Sequence, residues 1–113
     1  MLYLYGLFIS EKMDVDIIEA QQIVSSKGTK IVWLGSEPIE YISKLLDMEK
    51  EQFLFIDPNE LFSNKDMMKL MEDHVFMCYH GNSSKFVVNH LKNNNIRSYN
   101  LKKGITSIVG EIF

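Results

Sequence analysis

The sequence predicts an α/β domain with a mainly parallel sheet and right-handed crossovers, and three observations support this prediction. Short apolar or β-branched runs alternate with segments of helical periodicity. The run at residues 75–79 (VFMCY) is apolar on both faces, which is typical of a central parallel strand. The chain has 113 residues, of which 46% are hydrophobic. One core suits this length, so we expect a single domain over residues 1–113.

The first elements follow from periodicity and caps. Residues 2–9 are apolar on both alternating faces and predict a buried or edge strand. Asp16 and Glu19 have the spacing of a capping box, and Gly28 is placed to end the helix that they begin. The β-branched and aromatic run at residues 30–34 (KIVWL) predicts the next strand.

The middle of the chain repeats the alternation. Pro38 is predicted as the first residue of a helix that runs to about Leu46. Residues 53–56 form a strand, which the Asp-Pro pair at 57–58 should stop because the residue before proline avoids the helical region. Asp66 is a candidate cap for a short helix. We expect core packing rather than a partner groove from Met67, Met68 and Met71, and also core packing from Trp33 in the strand at residues 30–34.

The last third supplies one more helix and one more strand. A helix is predicted from about Ser84 to residue 93, with Ser83 or Ser84 as its cap. Residues 98–101 form the last predicted strand. Gly104 precedes a short helix or turn.

Charge and composition exclude several classes of protein. The net charge of −3 argues against nucleic acid as the main partner, because phosphate binding needs a basic face. No apolar run approaches the ~18 residues of a membrane-spanning helix. The first residues lack the positive charge and the cleavage site of a signal peptide. A single cysteine allows no internal disulfide, so we expect a cytoplasmic protein.

The chemistry of the chain converges on residues 78–84 (CYHGNSS), which we call the cysteine loop. Its thiol lies at the carboxyl end of the predicted central strand, where ligands bind in open α/β sheets. Loop and helix amides can form an anion nest there, which would favour the nucleophilic thiolate. The alternative is a small, inert, buried side chain, which is the commoner role of a lone cysteine in an apolar strand.

The cysteine loop resembles the active-site loop of rhodanese-like domains, whose pattern is Cys-x-x-Gly-x-Arg/Ser-Ser/Thr. The form with serine in place of arginine is similar to that of bacterial single-domain thiosulfate sulfurtransferases. The resemblance continues through residues 93–105 (NNNIRSYNLKKGI), and residues 37–41 (EPIEY) match a Glu-Pro-x-Glu-Tyr segment of the family. It is good over about the last 40 residues. It implies a rhodanese-like three-layer sandwich, with helices on both faces of the sheet.

The resemblance also implies a mechanism. Cys78 would take a sulfane sulfur as a persulfide and pass it to a nucleophile. The donor would be thiosulfate or a persulfide, and the acceptor a thiol, cyanide or a sulfur-carrier protein. No organic cofactor or metal is implied. The residues that would bind the terminal sulfur through their amides are Tyr79, His80, Gly81, Asn82, Ser83 and Ser84.

Departures from the family pattern support an alternative function. Leu34, Gly35 and Ser36 stand where the family carries Asp-Val-Arg, and its Gly-His-Ile-Pro-Gly-Ala segment is missing. The alternative is therefore a catalytically weakened module that serves as a sulfur relay or protein-interaction domain. A cysteine-loop phosphatase or arsenate reductase is disfavoured, because Ser84 stands where phosphatases need arginine to clamp phosphoryl oxygens.

The remaining polar candidates have weaker signals. His80 could transfer protons, although a solvent-facing polar side chain is the simpler interpretation. His74, His90 and the cysteine lack the spacing of a zinc site. Lys102 and Lys103 follow the last strand and could attract an anionic donor, although surface lysines are most often only solvated. The sequence leaves the oligomeric state open.

Overall fold

The computed structural model describes residues 12–110, which build a five-stranded, entirely parallel sheet of order β1-β5-β4-β2-β3. The strands are β1 (Asp14–Val15), β2 (Ile31–Trp33), β3 (Phe53–Phe55), β4 (Val75–Met77) and β5 (Tyr99–Leu101). The predicted parallel sheet and its central strand are confirmed. The strand predicted at residues 2–9 lies outside the described residues, as do the first residues on which the signal-peptide inference rests. The single domain over the whole chain stays a prediction.

Helices cover both faces of the sheet, so the predicted three-layer sandwich is confirmed. One face carries α1 (Ile17–Lys27), α2 (Ile39–Leu46) and α6 (Thr106–Val109), whose apolar side chains join one core cluster. The other face carries α3 (Pro58–Phe62), α4 (Lys65–Leu70) and α5 (Asn82–Asn93), whose side chains join the second. A short 3-10 helix, Lys50–Gln52, leads into β3.

The strands divide their side chains between these two cores. In β2, Ile31 and Trp33 belong to the first core and Val32 to the second. In β4, Phe76 points to the side opposite that of its two neighbours. This alternation follows from the two-residue period of a strand, and it explains why both strands are apolar at every position. Trp33 is fully buried, and Met68 and Met71 are core residues as predicted.

The caps of the helices confirm one prediction and correct others. The Asp16–Glu19 capping box forms at both bonds, and Gly28 ends α1 in the left-handed region with a φ of 68°. Pro38 is the cap of α2 rather than its first residue. The predicted cap of α4 at Asp66 is wrong. The cap is Asn64, whose side-chain oxygen accepts the amide of Met67 at 3.0 Å.

Two elements, β1 and α3, were not predicted from the sequence patterns. Strand β1 has only two residues, too few for a period, and it exists because Asp14 and Val15 pair with β5. Helix α3 begins at the proline that was predicted only as a strand stop. Asp57 caps α3 through its side chain, and Pro58 lies in its first turn, where a missing amide hydrogen costs nothing. Within residues 12–110, no helix has the length and apolar composition to cross a membrane.

The cap of α4 can be tested with two neighbouring substitutions. Asn64→Ala should lower the free energy of unfolding by about 1 kcal/mol, because an amide of the first turn loses its acceptor. Asp66→Ala should change it by less than about 0.5 kcal/mol, because that exposed side chain caps nothing. Urea unfolding of both variants measures the difference. A larger loss for Asp66→Ala than for Asn64→Ala would contradict the assignment.

Candidate active site around Cys78

The topology creates a crevice at the carboxyl ends of β2 and β4. From β2 the chain passes through α2 on one face to β3, whereas from β4 it passes through α5 on the other face to β5. These neighbouring strands therefore send their connections in opposite directions, which is where ligands bind in open parallel sheets. Cys78 follows β4 directly, so its thiol lies at this switch point.

The sulfur of Cys78 is held by backbone amides of the cysteine loop. Its Sγ accepts the amide of Gly81 at 3.1 Å and that of Ser84 at 3.3 Å. Helix α5 begins at Asn82 with Gly81 as its cap, in the left-handed region at a φ of 94°, so the predicted cap by Ser83 or Ser84 is wrong. The Ser84 amide of the first turn is directed at the sulfur instead. The Cys78 residue is buried, with 4% of its surface exposed.

The turn after β5 fixes the backbone orientation of the cysteine loop. The amides of Ile105 and Thr106 donate to the carbonyls of Cys78 and Tyr79 at 2.9 and 3.2 Å. Gly104 is packed so closely there that a Cβ would lie 2.4 Å from the Cys78 carbonyl oxygen. A Cβ on Gly81 would likewise lie 2.8 Å from the amide nitrogen of Lys103. Both positions therefore require glycine, which lets the two backbones touch.

Asn100, a buried polar residue that the sequence analysis did not identify, completes the site. Ser84 Oγ lies 3.2 Å from the Cys78 sulfur and donates to Oδ1 of Asn100. Asn100 is the middle residue of β5, and its Nδ2 donates to Asp14 Oδ1 at 3.0 Å. A polar residue between apolar neighbours in a predicted buried strand was the signal available for Asn100. The signal for its partner Asp14 was absent, because β1 has no pattern of its own.

A cluster centred on Tyr79 lies at the carboxyl end of β2, and we call it the tyrosine-centred cluster. The Tyr79 hydroxyl donates to Glu37 Oε1 at 2.6 Å and accepts the amide of Ser36 at 2.9 Å. Trp33 packs edge-on against the Tyr79 ring and donates to the Glu37 carbonyl at 3.0 Å. The indole also lies against Gly35, where a Cβ would meet it at 2.1 Å. The segment Leu34-Gly35-Ser36 is thus part of a cluster that ties the end of β2 to the end of β4.

The candidate residues of the cysteine loop and of the turn after β5 differ in their exposure to solvent. In the cysteine loop, Gly81 and Ser84 are buried, Tyr79 is half-buried, and His80, Asn82 and Ser83 are exposed. Lys102 and Lys103 are exposed on the turn that packs against the loop.

The other two histidines take no part in the site. His74 precedes β4 at the opposite edge of the sheet, and burial lowers the pKa of its imidazole. His90 on α5 contacts Phe62 in a tilted arrangement, with ring centroids 4.4 Å apart. Among residues 12–110, no three His, Cys, Asp or Glu side chains cluster as metal ligands would.

The fold is that of rhodanese-like proteins. A crystal structure of a rhodanese-related protein from Thermoplasma volcanium is similar with a TM-score of 0.61 and 19% identity, over 89% of this chain and 94% of that one. A crystal structure of a Staphylococcus saprophyticus protein gives a TM-score of 0.60 and 16% identity, over 88% and 96% of the two chains. No protein-family model and no curated protein matches the sequence. At these identities the similarity establishes the fold.

The tyrosine-centred cluster should contribute to stability. Tyr79→Phe removes the hydroxyl that joins Glu37 and Ser36, so we expect the free energy of unfolding to fall by about 1–2 kcal/mol. Tyr41→Phe is the matched control, because that tyrosine is exposed on α2, and it should change stability by less than about 0.5 kcal/mol. Equal denaturation midpoints for the two variants would show that the cluster is not an anchor.

Proposed function

We propose that the protein is a sulfurtransferase that carries a sulfane sulfur as a persulfide on Cys78. The observation that carries this proposal is the pair of amide hydrogen bonds to the sulfur, from Gly81 at 3.1 Å and Ser84 at 3.3 Å. Structural cysteines in a core pack against hydrocarbon and need no such donors. Here the sulfur lies beside the first turn of the 12-residue helix α5, whose amide dipoles favour an anion.

The reaction follows the rules of thiol–disulfide exchange. The Cys78 thiolate attacks the outer sulfur of the donor, and a new S–S bond forms as the bond inside the donor breaks. The donor fragment leaves with the electron pair, as sulfite from thiosulfate or as a thiolate from a persulfide. A thiolate or cyanide then attacks the outer sulfur of the Cys78 persulfide. The persulfide bond breaks and the Cys78 thiolate is regenerated, so the cycle needs no oxidant or reductant.

The cysteine loop contains further residues whose amides could bind the outer sulfur of a persulfide. Gly81 and Ser84 donate to Sγ, whereas His80, Asn82 and Ser83 lie exposed along the same loop. We assign the outer sulfur of the persulfide to amides of residues 79–84, because amides held by a rigid backbone stabilise a developing anion without reorganising. Ile105 and Thr106 supply that rigidity through their bonds to the loop carbonyls.

A second candidate function is a sulfur relay that receives its sulfur from another persulfide. The specific observation in its favour is the position of Arg97, the one arginine of the chain. Arg97 precedes β5 and pairs with Asp73 at 2.8 Å, at the edge of the sheet opposite to Cys78. A dianionic sulfur donor such as thiosulfate could therefore be bound only by lysine side chains near Cys78. Lysine cannot make the two parallel hydrogen bonds that arginine makes to an anion.

Sulfur loading tests the persulfide directly. Incubation with a small-molecule persulfide should add the mass of one sulfur atom to the protein, and dithiothreitol should remove it, as intact mass spectrometry measures. Cys78→Ser should gain no mass, because the chain has no other cysteine. Absence of loading with both a persulfide and thiosulfate would end both sulfur hypotheses.

Turnover separates the enzyme from the relay. A sulfurtransferase acting on thiosulfate should release thiocyanate continuously when cyanide is added, and Cys78→Ser should abolish the release. A relay should load from the persulfide and discharge to a thiol, with thiosulfate turnover at the level of Cys78→Ser. Thiosulfate turnover by the wild type would exclude the interpretation of a weakened module.

A further inference from the structure

A chain of polar contacts runs from the sulfur of Cys78 to the surface. Ser84 Oγ lies 3.2 Å from the sulfur and is bonded to Asn100 Oδ1. Asn100 Nδ2 donates to Asp14 Oδ1 at 3.0 Å, and Asp14 Oδ2 lies 3.6 Å from Lys85 Nζ. Ser84 and Asn100 are 0% and 2% exposed, whereas Asp14 is partly exposed. These contacts therefore run from a buried inner end at the Cys78 sulfur to an outer end that is partly exposed to solvent.

Chemistry fixes the direction of each hydrogen bond. A carboxylate only accepts, so the amide of Asn100 must turn Nδ2 towards Asp14 and Oδ1 towards Ser84. A carbonyl oxygen also only accepts, so the single hydroxyl proton of Ser84 points at Asn100. Ser84 Oγ consequently presents a lone pair to the sulfur, and it can accept the S–H of a thiol but has no proton left for a thiolate.

We propose that Asn100 is a positioning residue that holds the Ser84 hydroxyl proton away from Cys78 and so favours the resting thiol. When the thiol proton passes to a base in solution, the Ser84 hydroxyl has to rotate to the sulfur to stabilise the thiolate. That rotation leaves Asn100 Oδ1 buried without a donor, which is costly. The amides of Gly81 and Ser84 favour the anion, and Asn100 opposes them. This inference rests on the proposed function, in which the thiolate is the nucleophile.

The test is the rate of iodoacetamide alkylation of Cys78 as a function of pH. Asn100→Leu has a similar shape and no acceptor, so the Ser84 hydroxyl is free to donate to the sulfur. We expect alkylation at neutral pH to become about tenfold faster, with the profile displaced to lower pH and its high-pH plateau unchanged. A loosened loop would raise the plateau instead, so the profile distinguishes positioning from mere structural damage.

A double-mutant cycle shows whether Asn100 acts through Ser84. In a Ser84→Ala background, Asn100→Leu should leave the alkylation profile unchanged, because no hydroxyl remains to be oriented. An equal effect of Asn100→Leu in both backgrounds would overturn the proposal. An unchanged profile in the wild-type background would overturn it as well.

Two further variants complete the design. Asn100→Ala also removes the acceptor for Ser84, so it should displace the alkylation profile in the same direction as Asn100→Leu, and it keeps the proposal falsifiable if Asn100→Leu fails to fold. An unchanged profile of Asn100→Ala would contradict the proposal. Ser98→Ala is the matched control, because Ser98 is 2% exposed immediately before β5 and its Oγ has no hydrogen-bond partner among the described residues. Its alkylation profile should equal that of the wild type, and a displaced profile would overturn the assignment to Asn100.

The substitutions leave the charged and titratable neighbours of the chain of contacts in place. These are Asp14 on β1, Lys85 on α5, His80 in the cysteine loop, Lys102 and Lys103 after β5, and Tyr79 with Glu37 beside β2. Sulfur loading of the wild type is measured separately. A wild type that loads sulfur while the variants keep its alkylation profile would remove this inference alone, whereas a wild type that never loads would remove the proposed function, whatever the alkylation profiles show.

Discussion

The site depends on a contact between two stretches of backbone. The turn after β5 lies directly against the cysteine loop, and its amides bind the carbonyls of Cys78 and Tyr79. With these carbonyls occupied on one side, the amides of Gly81 and Ser84 are left to meet the sulfur on the other. Gly104 makes this possible because it carries no Cβ at a point where one would overlap both carbonyls. The electrostatic environment of the Cys78 sulfur thus comes from backbone amides held in place by packing.

The contacts at the neighbouring end of β2 likewise involve few charged side chains. The anchor there consists of an aromatic pair, Trp33 and Tyr79, and the single carboxylate of Glu37. The hydroxyl of Tyr79 joins the ends of β2 and β4 and so helps to fix the shape of the crevice.

Residues with a local signal were predictable, and residues defined by distant partners were not. The apolar run of β4, the Asp16 box and the position of Cys78 are encoded within a few neighbouring residues, and all three appear as expected. Asn100 could not be assigned, because its role needs Ser84 from α5 and Asp14 from β1. The cap of α5 was misplaced for a related reason: the helix begins at Asn82, so Ser84 lies inside its first turn, and the Ser84 hydroxyl is bonded to Asn100 rather than to a helix amide.

The pairing of β1 with β5 has a consequence for the order in which the molecule is assembled. Asp14 and its partner Asn100 are separated by 86 positions, and within the described residues β1 pairs with no other strand. During synthesis from the ribosome, the early strand must therefore wait for the late one. Until residues 100–106 emerge, the carbonyls of Cys78 and Tyr79 lack these donors. The sulfur of Cys78 therefore acquires its hydrogen-bonded surroundings only at a late stage of folding.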